Sequence, residues 1–168
     1  MADRRSYRSL ACALALLGTL LAVPGAGAEQ ESDPALWATV NVCDTEAHPD
    51  TIGIRGSMPG TGRRSDRMYM RFSVQFEGSD GDWHDLSDGG VSRWEPVGSG
   101  RWDSRQSGWF FQVRPPEGRV RLRGVVRFQW RRRGKVVRRE TRATEAGHRS
   151  TAGADPRRWS RSICVVRS

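Results

Sequence analysis

The sequence predicts an all-β protein, a single-domain antiparallel β-sandwich, on three observations. Apolar side chains recur at every second position over residues 68–76 and 120–130, turn-forming residues punctuate the short runs between, and no segment places apolar residues at helical spacing. Several short strands without alternating helices belong to a sheet-on-sheet architecture.

The elements follow in order. Leu36, Ala38, Val40 and Val42 alternate with Trp37, Thr39, Asn41 and Cys43, which predicts a first strand. Residues 51–55 form a brief second one, and the glycines, proline and arginines of 56–67, among them Arg63, Arg64 and Arg67, read as a surface loop. Met68, Met70, Phe72, Val74 and Phe76 point one way and Tyr69, Arg71, Ser73, Gln75 and Glu77 the other, so this strand has one dry and one wet face. The turn at 78–82 leads into a short return beginning at Trp83. Residues 87–106 are weakly patterned and hold at most short edge strands. Residues 108–113 form an aromatic strand that ends before Pro115 and Pro116, where neither helix nor ladder can continue.

Over residues 119–131 the alternation is longest. Val120, Leu122, Gly124, Val126, Phe128 and Trp130 share one face, and Arg119, Arg121, Arg123, Arg127 and Arg131 share the other. Gly134 turns the chain into a partner strand over 135–142. A loop over 143–158 precedes the last strand, 159–166.

The chain has 168 residues, and its first 28 read as a secretory signal: Arg4, Arg5 and Arg8, then an apolar stretch over 10–23, then the Ala26-Gly27-Ala28 cleavage form. Cleavage leaves 140 residues, a flexible acidic leader at 29–34 and one domain over 35–168, with no second apolar stretch to cross a membrane. It also discards Cys12. Cys43 and Cys164 remain as an even pair in a chain bound for an oxidising compartment, secreted or at the cell envelope, which predicts a disulfide tying first strand to last. A closed loop of this length stabilises by about 4 kcal/mol.

This pattern resembles an immunoglobulin-like or fibronectin-type sandwich over residues 35–166. It departs from true immunoglobulin domains in having a terminal disulfide and no Trp packed upon an inner one. The segments 37–44, 147–155 and Ile163-Cys164 are also similar to a set of secreted bacterial proteins of no assigned activity. The resemblance implies architecture; function rests on a site.

No GxSxG, HExxH, phosphate-loop or CxxC motif is present, so the sequence predicts no enzyme and no cofactor. His148, Ser150 and Asp155 hold the residue types of a hydrolase triad, but within one loop, whereas triads are assembled from distant segments. An unrecognised hydrolase is the rival from another class. The acidic turn from Asp80 to Asp88 departs from a calcium loop, with Asp85 where glycine is needed. Seven tryptophans raise a carbohydrate-binding alternative through Trp83, Trp94 and Trp102.

Charge distribution is the sharpest remaining feature. Residues 29–113 carry 8 basic and 14 acidic side chains, and residues 114–142 carry 12 basic and 2 acidic. Arg119, Arg121, Arg123, Arg127 and Arg131 on one strand, with Arg138 and Arg139 on its neighbour, predict a basic sheet face for an anionic polysaccharide or an acidic protein surface. No specific nucleic-acid motif accompanies it. The expected function is a secreted, non-enzymatic binding or adhesion module.

Overall fold

The structure, a computed structural model, describes residues 33–114, 118–148 and 150–167. The segment expected as a secretory signal, most of the expected leader, and Pro115 and Pro116 lie outside the described residues. Among the described residues there is no helix, and nine strands form two antiparallel sheets.

The smaller sheet has the order β1 (Trp37–Thr45), β2 (His48–Pro59), β6 (Ser104–Gln112). In the larger sheet β3 (Asp66–Glu77) and β7 (Arg119–Arg132) run centrally, paired from Asp66↔Arg132 to Phe76↔Leu122. Two short strands flank each of them. β4 (Trp83–Asp85) and β5 (Glu95–Ser99) pair with β3, and β8 (Lys135–Ala143) and β9 (Cys164–Arg167) pair with β7.

The inward rows expected for residues 68–76 and 120–130 are the core. Met68, Met70, Phe72, Val74, Val126, Phe128 and Trp130 are fully buried, and they share one hydrophobic cluster with Val40, Ile52, Ile54 and Met58 of the smaller sheet. The sheets come so close at Gly124 that a Cβ there would sit 2.7 Å from both Ile54 Cδ1 and Thr144 Cγ2. Glycine in the middle of the longest strand is thus a packing requirement.

Three boundaries differ from the sequence expectation. β2 runs on through Pro59 and β3 starts at Asp66, so the loop expected over 56–67 shrinks to 60–65. Pairing with β6 over Arg55↔Gly108 to Pro59↔Ser104 holds the extra turn-like residues in strand form. The aromatic strand likewise begins at Ser104 rather than Gly108, drawn out by the same ladder. The last strand is shorter than expected, because residues 159–163 leave the sheet and lie against β1 instead.

That departure is part of a longer strap. The described residues of 144–163 follow the free edge of β1, with Glu145 N donating to Ala38 O at 2.8 Å, Asp155 N to Asn41 O at 2.9 Å, and Val40 and Arg161 exchanging backbone bonds at 2.9 and 3.1 Å. Thr39 and Asn41, both buried, also bind the strap through their side chains: Thr39 Oγ1 lies 2.7 Å from Ser160 Oγ, and Asn41 Nδ2 donates to Gly153 O at 2.8 Å. Covering an edge in this way removes a template for strand addition.

Cys43 of β1 and Cys164 of β9 are joined as expected, with their Cα atoms 5.3 Å apart and a sequence separation of 121. The bond links the two sheets.

One buried ion pair fixes the turn between β2 and β3. The Asp66 carboxylate is fully buried and accepts from Arg132 Nε at 2.7 Å, Arg132 Nη2 at 3.0 Å and Thr61 Oγ1 at 2.8 Å. The guanidinium bonds of Arg132 chiefly, with those of the hydroxyls and the opposite charge, hold its pKa at about 2 despite burial. A carboxyl depressed below its unfolded value stabilises the fold at pH above about 4, and that contribution is lost as pH falls through about 2. Melting temperature should therefore drop more steeply between about pH 4 and pH 2 in the parent than in Asp66→Asn, which keeps the shape and cannot titrate. Parallel profiles would remove Asp66 from the acid response.

Candidate functional site

The outward row of β7 meets the outward row of β3 with a register that sequence alone does not give. Arg67 stands directly opposite Arg131, Arg71 opposite Arg127, Gln75 opposite Arg123. On the other side of β7, Arg139 of β8 is opposite Gln129 and Thr141 is opposite Arg127. Directly opposed residues have Cα atoms roughly 4.5–5.5 Å apart, and successive rows on one face are roughly 7 Å apart.

The face divides into two halves. Toward β4, the arginines are answered: Arg121 pairs with Glu77 at 3.0 Å, and Arg123 Nε donates to Gln75 Oε1 at 2.8 Å while Gln75 binds Asp85 at 2.9 Å. Toward β5 they are not. Arg131 Nε and Nη2 reach only the neutral Gln129 amide oxygen, and Arg71 Nε reaches the Ser92 carbonyl at 2.9 Å. Among the described residues the side chains of Arg67, Arg127 and Arg139 have no hydrogen-bond or ion-pair partner, nor does that of Arg119 beside Arg167 at the far end of β7. Arg67, Arg71, Arg127, Arg131 and Arg139 thus form a group of guanidinium ions with no carboxylate partner among the described residues.

Aromatic rings support this face from the side. The Arg131 guanidinium lies 4.1 Å from the Tyr69 ring centre and 5.4 Å from that of Trp94, and Arg123 lies 4.5 Å from Trp83. Stacking restrains the plane of a guanidinium, and at Arg131 the edge formed by Nε and Nη2 is turned to Gln129. Trp83 and Trp94 are half-buried beneath these arginines. Trp102 is 44% exposed but carries Arg101 at 4.4 Å and Arg105 at 5.5 Å.

Of the seven arginines expected at the site, the structure brings Arg119, Arg121, Arg123, Arg127, Arg131 and Arg139 to one face. Arg138 is on the other. It is opposite Trp130, its guanidinium 4.5 Å from that ring, and it pairs with Glu140 at 3.2 Å. Adjacent residues of a strand point to opposite sides, so Arg138 and Arg139 cannot both join the stripe. Sequence reasoning missed two members. Arg67 was assigned to a loop, and Arg71, although on the wet row of β3, had no visible neighbour until the β3–β7 register was known.

The other constellations are differently disposed. His148 stacks on Trp37, with ring centres 4.5 Å apart, and burial pushes its imidazole below the ordinary pKa. Its Nε2 is buried and unpartnered, whereas Asp155 accepts from Thr45 Oγ1 at 2.6 Å and the Ser150 carbonyl binds Gln106. Among the described residues these three side chains make no hydrogen bond with one another and form no relay. In the acidic turn, Asp80 accepts from His84 at 3.0 Å and from Asp82 N at 3.0 Å, bonds that lower its pKa. Among the described residues no group of three or more His, Cys, Asp or Glu could hold a metal ion. No helix of the described residues is long and apolar enough to cross a membrane.

The chain matches no known family, no curated protein and no solved structure.

Proposed function

We propose that this chain is a secreted, non-enzymatic binding module, an immunoglobulin-like sandwich whose larger sheet holds an anionic polysaccharide against its outer face. The observation that carries this reading is the pair of direct oppositions, Arg67 against Arg131 and Arg71 against Arg127, with no carboxylate to answer them. Like charges directly across a sheet destabilise it. A fold that merely needed a solvated face would pair them with Glu, as it does at Arg121.

The geometry suits a linear polyanion better than a single ion. Guanidinium groups within about 8 Å act together at physiological ionic strength, and the five extend over three rows. Each bound anionic group releases condensed counterions, so affinity falls steeply with salt. The disulfide between Cys43 and Cys164 fits an extracellular setting.

The test is elution from an immobilised sulfated polysaccharide in a salt gradient. Arg71→Gln, Arg127→Gln and Arg139→Gln combined should elute at markedly lower salt than the parent. A control removing the same charge at the exposed Arg63, Arg64 and Arg101 should elute close to it. The sheet variant should melt no lower than the parent, because repulsion is relieved. Co-elution of the sheet variant with the parent, or a larger shift in the control, would show that net charge alone governs retention.

A further inference from the structure

The strap holds a second concentration of positive charge, separate from the sheet face. A cavity of about 280 Å³ opens between Gly147 and the run from Pro156 to Arg161. Its wall contributes three arginines, Arg157, Arg158 and Arg161, and no carboxylate. None of the three forms an ion pair among the described residues. The nearest acid in sequence, Asp155, is bound to Thr45 on β1.

Three further features of the same wall point to a ligand. The Trp159 indole N–H is buried with no acceptor, one of three such orphaned side-chain nitrogens among the described residues. The other two, Arg55 Nε on β2 and His148 Nε2 on the strap, do not line the cavity. Arg55 is the cross-strand neighbour of Thr39, which binds Ser160, and Ser160 Oγ accepts from His148 N at 2.9 Å. A native fold rarely leaves a buried donor unmatched, and the Trp159 indole N–H, on a residue that lines the cavity, marks a place where an acceptor can come from outside. Second, the Arg161 guanidinium sits 4.9 Å from the Trp159 ring centre, a contact that restrains its plane. Third, Arg158 has φ +67°, a left-handed conformation that costs a non-glycine residue about 1 kcal/mol or more and gathers at ligand-binding sites.

From these observations we infer that the strap cavity binds a small carboxylate-bearing molecule, about the size of one acidic sugar. The carboxylate takes parallel N–H bonds from the stacked Arg161, with Arg158 beside it, and the body of the ligand fills the space against Pro156. A carboxylate is favoured because its planar fork matches a guanidinium held in plane.

The experiment uses the mature chain labelled with ¹⁵N, in which the Trp159 indole resonance is identified by its loss in Trp159→Phe. Glucuronate is the probe, with glucose and sodium sulfate as comparisons. Glucuronate should move the Trp159 indole signal saturably while the exposed Trp102 signal stays in place, and glucose should move neither. Arg158→Gln with Arg161→Gln should weaken the response tenfold or more, with the remaining spectrum unchanged as proof of folding. An unmoved Trp159 signal, or equal movement of all indoles, would refute the site. Equal saturation by sulfate would overturn the carboxylate class, since charge alone would then suffice. Polysaccharide retention plays no part in this readout, so the sheet-face reading stands or falls separately.

Discussion

Replacing Cys164 with Ser should lower the stability of the fold by about 4 kcal/mol, read as a shift in urea midpoint. The bond closes a loop of 121 residues, nearly the whole domain, and its loss restores to the unfolded chain the conformations that closure had removed. The denaturant slope should rise at the same time, because an uncrosslinked unfolded chain exposes more surface. Reducing the parent should reproduce both changes. Cys164 is also fully buried where β9 meets β7, so the serine hydroxyl adds a desolvation cost of its own. A loss below about 1 kcal/mol would mean that the strap and the β7–β9 ladder constrain the C-terminal strand without help from the bond.

Trp130→Ala should be comparably severe, at about 3–5 kcal/mol. Trp130 is the bulkiest fully buried side chain, in the inward row of the central strand β7. Its removal opens a cavity between the sheets and forfeits the bond from Nε1 to the Pro59 carbonyl at 2.8 Å, which joins β7 to the end of β2. Arg138, which lies over the ring at 4.5 Å, loses its support as well. Trp130→Phe separates these contributions. It retains most of the volume and leaves the Pro59 carbonyl unmatched, so it should cost about 1–2 kcal/mol. Equal losses in the two variants would place the whole effect in the hydrogen bond.

On the proposed binding face, the opposition of Arg71 to Arg127 would set stability against binding within one sheet. At Arg121 the sheet answers its arginine with Glu77, and between Arg67 and Arg139 it does not. The unanswered half is also where Tyr69 and Trp94 brace Arg131. A guanidinium whose plane is already restrained loses less entropy on meeting an oxyanion, which would offset part of the repulsion these arginines bring to the free protein.

By itself the sequence determined the fold class, the inward rows and the disulfide pair. Those depend on a period of two and on cysteine number, which are properties of neighbouring residues along the chain. It also separated Arg119, Arg121, Arg123, Arg127 and Arg131 from the apolar side of β7. What only the tertiary structure decided is which residues from elsewhere stand beside them. Register between β3 and β7 is set by the packing of their inward rows against the smaller sheet, and a slip of a single residue would turn every side chain to the wrong face. That packing brought Arg67 and Arg71 into the site, sent Arg138 to the far side to cap Trp130, and gave Arg121 its carboxylate. The strap was illegible for the same reason. Residues 144–163 have no periodicity to read, and the conformation of those described is fixed by backbone, hydroxyl and amide bonds to β1, more than a hundred residues earlier in the chain.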